Sequence, residues 1–148
     1  MSSSQPRTDT ARAFRAAVEA RDPEAMTALL AEDVVFRSPV AHKPYPGRAI
    51  TASILTEVVD VFSDFVYVTE IGGDGARDHA LVFEARVGDK QLTGCDFLHL
   101  DDDGLIDEFM VMVRPLSGAQ ALADEMASRF DRIVARAAGQ ESGDQAAG

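Results

Sequence analysis

Four β-strand patterns stand in a row in the second half of this chain, and that run constrains the fold more than any other feature. "DFVYVTEI" (64–71) leads into the turn "GGDGARD", "HALVFEARV" (79–87) into Gly88-Asp89, and "KQLTGCDFLHL" (90–100) into "DDDG" before "LIDEFMVMVRP" (105–115). Runs of β-branched and aromatic residues broken by short Gly/Asp turns encode hairpin-linked antiparallel strands. Such a meander has two faces, and one must be covered.

The first half supplies the cover. Thr8 or Asp9 can cap a first helix over roughly 10–20, with Phe14 and Val18 stacked at i, i+4. Asp22 is a good N-cap, Pro23 suits the first helical position and Glu24 favours the positive helix end, so a short second helix runs to near Ala31. "DVVFRS" (33–38) reads as a strand. "SPVAHKPYPGRA" carries three prolines and a glycine and reads as a rigid, irregular loop. "RAITASILTEVVDVF" forms an amphipathic third helix with Ile50, Ile54, Val58 and Val61 on one stripe. A last helix over about 117–136 aligns Leu122, Met126, Phe130 and Ile133 or Val134. Residues 1–7 and 138–148 read as disordered ends, which leaves 8–137 as a single domain. Helices set apart from a run of hairpins predict an α+β fold, with a curved, mostly antiparallel sheet wrapped around helices.

Charge and cysteine usage narrow the partners. A net charge of −11 provides no basic footprint for phosphates, so neither a nucleic acid nor an anionic membrane surface is expected. The single cysteine, Cys95, rules out an intrachain disulfide framework or a cysteine zinc site. "MSSSQPRTDT" lacks an apolar signal core, and the expected location is a reducing cytoplasm. The Ala- and Arg-rich, Lys-poor composition suggests a high-GC bacterial source. No P-loop, G-x-G-x-x-G or nucleophile elbow occurs, the three histidines lack ligand spacing, and "DDDG" lacks the ligand pattern of a calcium loop. No cofactor and no metal are therefore expected.

One acid stands in the middle of an apolar strand. Side chains alternate along a strand, so Asp96 shares a face with Leu92, Gly94, Leu98 and Leu100, while Thr93, Cys95, Phe97 and His99 look the other way. A carboxyl on that face would be desolvated and its pKa raised. It would then be a neutral hydrogen-bond donor or a base working near neutral pH. The alternative is an aspartate satisfied by a backbone N–H or a helix N-terminus. On the next strand Asp107, Phe109, Val111 and Val113 share one face, and Ile106, Glu108, Met110, Met112 and Arg114 the other. Met110 and Met112 then mark either a dimer surface or a patch covered by a terminal segment. His79 shares a face with Leu81, Phe83 and Ala85, either at a pocket rim or as a surface histidine. Ser38 either bonds a ligand or caps the turn before Pro39. His42 and Tyr45 follow it in the same loop, as ligand contacts or as exposed residues. Arg114 has an ion pair with an acid such as Asp107 or Glu108, an anionic substrate, or a plain surface position at the strand end as its options.

"DPEAMTALLAEDVVFRSPV", "PYPGRAI" and "CDFLHLDDDGLIDEFMVMVRPLSGAQAL", spread over roughly residues 10–125, resemble the SnoaL-like and ketosteroid-isomerase-like bacterial members of the nuclear transport factor 2-like superfamily. The resemblance implies a cone in which a bent sheet and about three helices enclose one deep apolar pocket, plus a C-terminal helix, with homodimers formed sheet to sheet. It places Asp96 as the acid/base residue, with Phe14, Ser38, Val40, Tyr45, His79, Phe83, Leu98, Phe109, Val111 and Val113 around the ligand. The isomerase branch uses a tyrosine, an aspartate base and a second aspartic acid, at positions that match Phe14, Ser38 and Asp96 here. Only Asp96 is kept, so a standard ketosteroid isomerase is not expected. The epoxide-hydrolase branch has an arginine where Gly94 stands. Three functions follow. The first is a cofactor-independent isomerase or cyclase acting through Asp96 on a hydrophobic carbonyl-bearing or polycyclic metabolite. The second is a non-catalytic binding protein for a hydrophobic small molecule, and the third a protein-interaction domain.

Overall fold

A computed structural model of the chain describes residues 5–147. In chain order the elements are α1 (Gln5–Glu19), α2 (Pro23–Thr27), β1 (Leu30–Arg37), β2 (Tyr45–Pro46), α3 (Arg48–Val61), β3 (Ser63–Ile71), β4 (Asp78–Val87), β5 (Lys90–Leu100), β6 (Ile106–Arg114) and α4 (Leu116–Ala147). The strands form one sheet in the order β2-β1-β6-β5-β4-β3. The meander β3–β6 is antiparallel throughout, and β1 joins it parallel to β6. The α+β fold and all four hairpin strands thus lie where alternation predicts them.

Local chemistry explains the joints. Asp22 accepts a hydrogen bond from the Ala25 amide (3.2 Å) as the N-cap of α2, with Pro23 in the first turn. At the β5–β6 turn the Asp101 carboxylate accepts from the amides of Asp103 and Leu105, both at 2.9 Å, and Gly104 takes a φ of 82°. The acidic run is therefore a turn device.

The helices differ from expectation at their outer ends. α1 begins at Gln5 instead of being capped at Thr8 or Asp9, and the Thr10 hydroxyl donates to the Gly104 carbonyl, tying α1 to the β5–β6 turn. α4 continues through Ala147, so residues 138–147 are helical and not an irregular tail. Residues 1–4 and 148 lie outside the described residues.

The concave face of the sheet holds the core, with Phe14, Leu30, Val34, Phe36, Leu81, Phe83, Leu98, Leu100 and Phe109 buried together. β6 departs from simple alternation. Leu100 pairs with Ile106 but His99 with Glu108, so Asp107 is an extra residue in the ladder. This bulge turns Ile106 into the core, at 0% exposure, and moves Asp107 to the outer face, where its Oδ1 lies 2.6 Å from His99 Nδ1. Both residues were expected on the opposite faces. That hydrogen bond raises the His99 pKa, against a smaller opposing effect of burial. The outer face also presents Val66, Val68, Phe97 and Met112, which are exposed, so among the described residues nothing covers Met112. No helix among the described residues is long and apolar enough to cross a membrane.

Candidate functional site

The concave face of the sheet, α1, α3 and α4 enclose a cavity of about 640 Å³, within the range of pockets that take drug-sized ligands. Its wall is largely aromatic. Phe14 meets Phe109 edge to face at 5.2 Å, Phe65 stacks on Phe83 at 4.7 Å, and Phe62 lies 5.4 Å from Phe83. Gly94, on the Asp96 face of β5, makes room for this cluster, because a Cβ there would sit 2.2 Å from Phe83 Cζ. The glycine is thus a packing requirement of the wall, in the position where the epoxide-hydrolase pattern has arginine.

Asp96 lies in this wall, on β5 between Leu81 of β4 and Val111 of β6. It is 7% exposed and borders the cavity. The Tyr67 hydroxyl of β3 donates to Asp96 Oδ2 at 2.9 Å. Burial drives the Asp96 pKa up to about 7, and the bond from Tyr67 opposes that rise only in part. The Tyr67 pKa is pushed up in turn, first by burial and then by the Asp96 charge, so its proton stays in place at any ordinary pH. Arg15 stands 5.6 Å from the centre of the Tyr67 ring. Near neutrality, then, the site holds a carboxyl divided between its acid and base forms, one oxygen of which receives a fixed phenolic donor. A backbone amide or helix terminus as the partner of Asp96 is not what is found.

The structure brings together Phe14, Ser38, Val40, Tyr45, Phe83, Asp96, Phe109 and Val111, all of which border the cavity. Three residues expected there do not. His79 pairs with Leu98 beyond the cavity, is buried, and directs its Nε2 at the Ala76 carbonyl (3.0 Å). Leu98 is closed off in the core beside Phe109, and Val113 stands opposite Gly94 in the β5–β6 ladder, partly buried against the core. Their faces were read correctly, but a strand crossing a cone leaves the cavity before it ends. His42 is exposed. Ser38 accepts from the amides of Val40 (3.0 Å) and Ala41 (3.2 Å), so it caps its turn while its side borders the cavity. Arg114 forms no ion pair with Asp107 or Glu108; Asp107 is taken by His99.

Tyr67 was not expected at this site. The signal was present, since alternation in "DFVYVTEI" puts Phe65 and Tyr67 on one face, but nothing local indicates that this face meets Asp96 two strands away. Nor were Arg21 and Met26, which border the cavity from the α1–α2 corner and α2.

Comparison with known proteins gives a consistent picture. A family model described as SnoaL-like domain matches residues 11–109. A steroid delta-isomerase from Pseudomonas aeruginosa superposes with a TM-score of 0.81 at 44% identity, covering 88% of this chain and 95% of that one. An uncharacterized protein with a cystatin-like fold from Silicibacter pomeroyi gives 0.80 at 35% identity, with 86% and 91% covered. An NTF2-like protein of unknown function from Mesorhizobium loti shares the fold alone, at 0.65 and 19% identity over 76% and 93%. No curated protein matches the chain.

Proposed function

This chain belongs to the SnoaL-like family of the nuclear transport factor 2-like superfamily, and on that premise we propose that it is a cofactor-independent isomerase- or cyclase-type enzyme for a hydrophobic, carbonyl-bearing metabolite. One observation carries the reading: a buried carboxyl bonded to Tyr67 faces an aromatic cavity, and that burial lifts its pKa toward about 7. A base is most effective when its pKa lies near the working pH. The Asp96 carboxylate takes a proton from a carbon next to the substrate carbonyl and returns it to another position of the resulting enolate. Tyr67 holds the carboxyl in one orientation throughout. The likeness to a protein named steroid delta-isomerase supports this class of chemistry. The polar set nevertheless differs from the isomerase pattern: Phe14 carries no hydroxyl, Ser38 is engaged in its turn, and the phenol comes from β3.

The test combines carboxyl NMR with isotope exchange. The Asp96 signal is expected to titrate near 7 and to move higher when a polycyclic phenol binds as an enolate mimic. Deuterium exchange next to the carbonyl of a bound cyclic ketone is expected to fall by roughly 10²- to 10⁴-fold in Asp96→Asn. An ordinary carboxyl titration, unmoved by the phenol, would sink the acid/base role. A second reading, a binding protein using the same cavity, draws on a largely apolar wall in which, among the described residues, Asp96 is the one buried carboxyl. It wins if the ketone binds with no exchange.

The outer sheet face belongs to the same proposal. Met112, at 53% exposure, and Val68, at 49%, stand with Phe97 on a surface suited to a second copy of this chain. Sedimentation equilibrium is expected to show a dimer, weakened more than about tenfold by lysine at positions 68 and 112 together. A wild-type monomer at micromolar concentration would remove the dimer from the proposal.

A further inference from the structure

Among the described residues, two charged side chains border the cavity besides Asp96, Arg21 and Asp131, and both are exposed. They therefore stand at its mouth, with Asp96 in the interior. Arg21 follows α1, and its backbone is in the left-handed region at a φ of 54°. Its amide bonds to the Val18 carbonyl and the amide of Asp22 to the Ala17 carbonyl, both at 3.0 Å. This is the helix-ending turn whose left-handed position glycine fills with least strain. Helix termination alone does not call for an arginine here.

Nor does charge pairing. Arg132 and Arg136 share the adjoining crevice with Arg21 and are both bound to Glu57. The Arg21 guanidinium has no hydrogen-bond or ion-pair partner among the described residues. A strained position, a free planar cation and the entrance of an apolar cavity thus coincide. A neutral ligand has no use for that cation. An anionic one needs it, because a chain with a net charge of −11 repels anions at longer range.

We propose that Arg21 is a specificity residue that pairs with a carboxylate on an otherwise apolar ligand, whose opposite end reaches Asp96. The guanidinium fork fits a carboxylate with two parallel N–H···O bonds. Asp131, on the α4 side of the same mouth, repels an anion and biases it toward α1. The inference rests on the pocket reading above and names the substrate class it leaves open.

The test uses a hydroxynaphthoate and its methyl ester, which share one ring system and differ in charge. Wild-type protein is expected to bind the acid about tenfold more tightly than the ester, as a charge-assisted hydrogen-bonded pair allows. Arg21→Gly relieves the left-handed strain, so it is expected to fold with an unchanged or higher Tm, to bind the ester as before and to lose the preference for the acid. Asp131→Asn is expected to widen that preference. Equal binding of acid and ester by the wild type, or a preference that survives Arg21→Gly, would overturn the role of Arg21 alone. Failure of both probes to bind would overturn the pocket reading and this inference with it.

Discussion

Replacing Glu57 with alanine is expected to lower stability by about 3 kcal/mol, the low end of the cost of breaking a buried ion pair. Glu57 lies on α3 at 4% exposure, and three arginines of α4 converge on it. Arg132 grips both of its oxygens, at 2.8 and 3.1 Å, Arg136 donates at 2.6 Å and Arg129 at 3.0 Å. Burial alone would raise the Glu57 pKa, but the hydrogen bonds from Arg132, Arg136 and Arg129 outweigh it and bring the value down to about 2. Arg129 keeps Asp60 and Glu125 without Glu57, and Arg136 keeps Ser53, which places the cost at the low end of the range. For a domain of this size the Tm should fall by roughly 10 °C. The cluster clamps α4 to α3, and α4 supplies Leu122, Met126 and Phe130 to the cavity wall. Ligand binding should therefore weaken together with stability. A depressed carboxylate stabilises fully above its unfolded pKa of 4.5, and that stabilisation is lost as pH falls through about 2. The acid limb of the wild-type denaturation profile should shrink in Glu57→Ala. A loss below about 1 kcal/mol would mean that the arginines are solvated and the clamp is weak.

Asp96→Asn is expected to have the opposite sign. The Asp96 pKa rises from 3.8 to about 7 on folding. A raised pKa means that the folded state holds a proton the unfolded state has released. Its stabilisation is complete below 3.8 and is lost as pH climbs to about 7. At roughly 1.4 kcal/mol per pKa unit, the ionised carboxyl costs the wild type up to about 4 kcal/mol at pH 8. Asparagine keeps an oxygen that can accept from Tyr67 and has no charge to desolvate. The variant should be more stable than wild type above pH 7, by a few kcal/mol, and should lack the decline between pH 4 and 7. With Glu57 acting at the acid end, wild-type stability should peak near pH 4, where the rise from Glu57 ends and the decline from Asp96 begins. Urea denaturation of wild type and Asp96→Asn at pH 4 and pH 8 measures the decline and its absence. Parallel profiles for wild type and Asp96→Asn would show that the carboxyl titrates as an exposed one does. The same substitution that stabilises the fold is expected to slow proton transfer by roughly 10²- to 10⁴-fold, which is how a residue kept for chemistry behaves.

Local patterns along the chain settle the elements and most faces of the strands. Strand alternation put Asp96 inward and Cys95 and Phe97 outward, and the structure agrees residue by residue along β5. Asp22-Pro23 and "DDDG" were legible because a cap or a turn is decided within four or five residues. Phe14, Phe83 and Phe109 were legible as cavity residues because large apolar side chains on an inward face have few other places to go. What those faces meet depends on packing between distant segments. Tyr67 lies 29 residues from Asp96, and the arginines of α4 lie 72 to 79 residues from Glu57. Their spacing at 129, 132 and 136 is visibly helical, yet no local rule names the carboxylate they share. The bulge at Asp107 reversed two faces that strict alternation had assigned, since register belongs to a pair of strands and not to one. His79 and Val113 face inward but fall outside the cavity, whose extent is set by how far helices and sheet diverge. The lone acid of a buried strand was a sequence fact. Its tyrosine partner, its pKa near neutrality and the arginine at the cavity mouth exist only because distant segments pack into one cone.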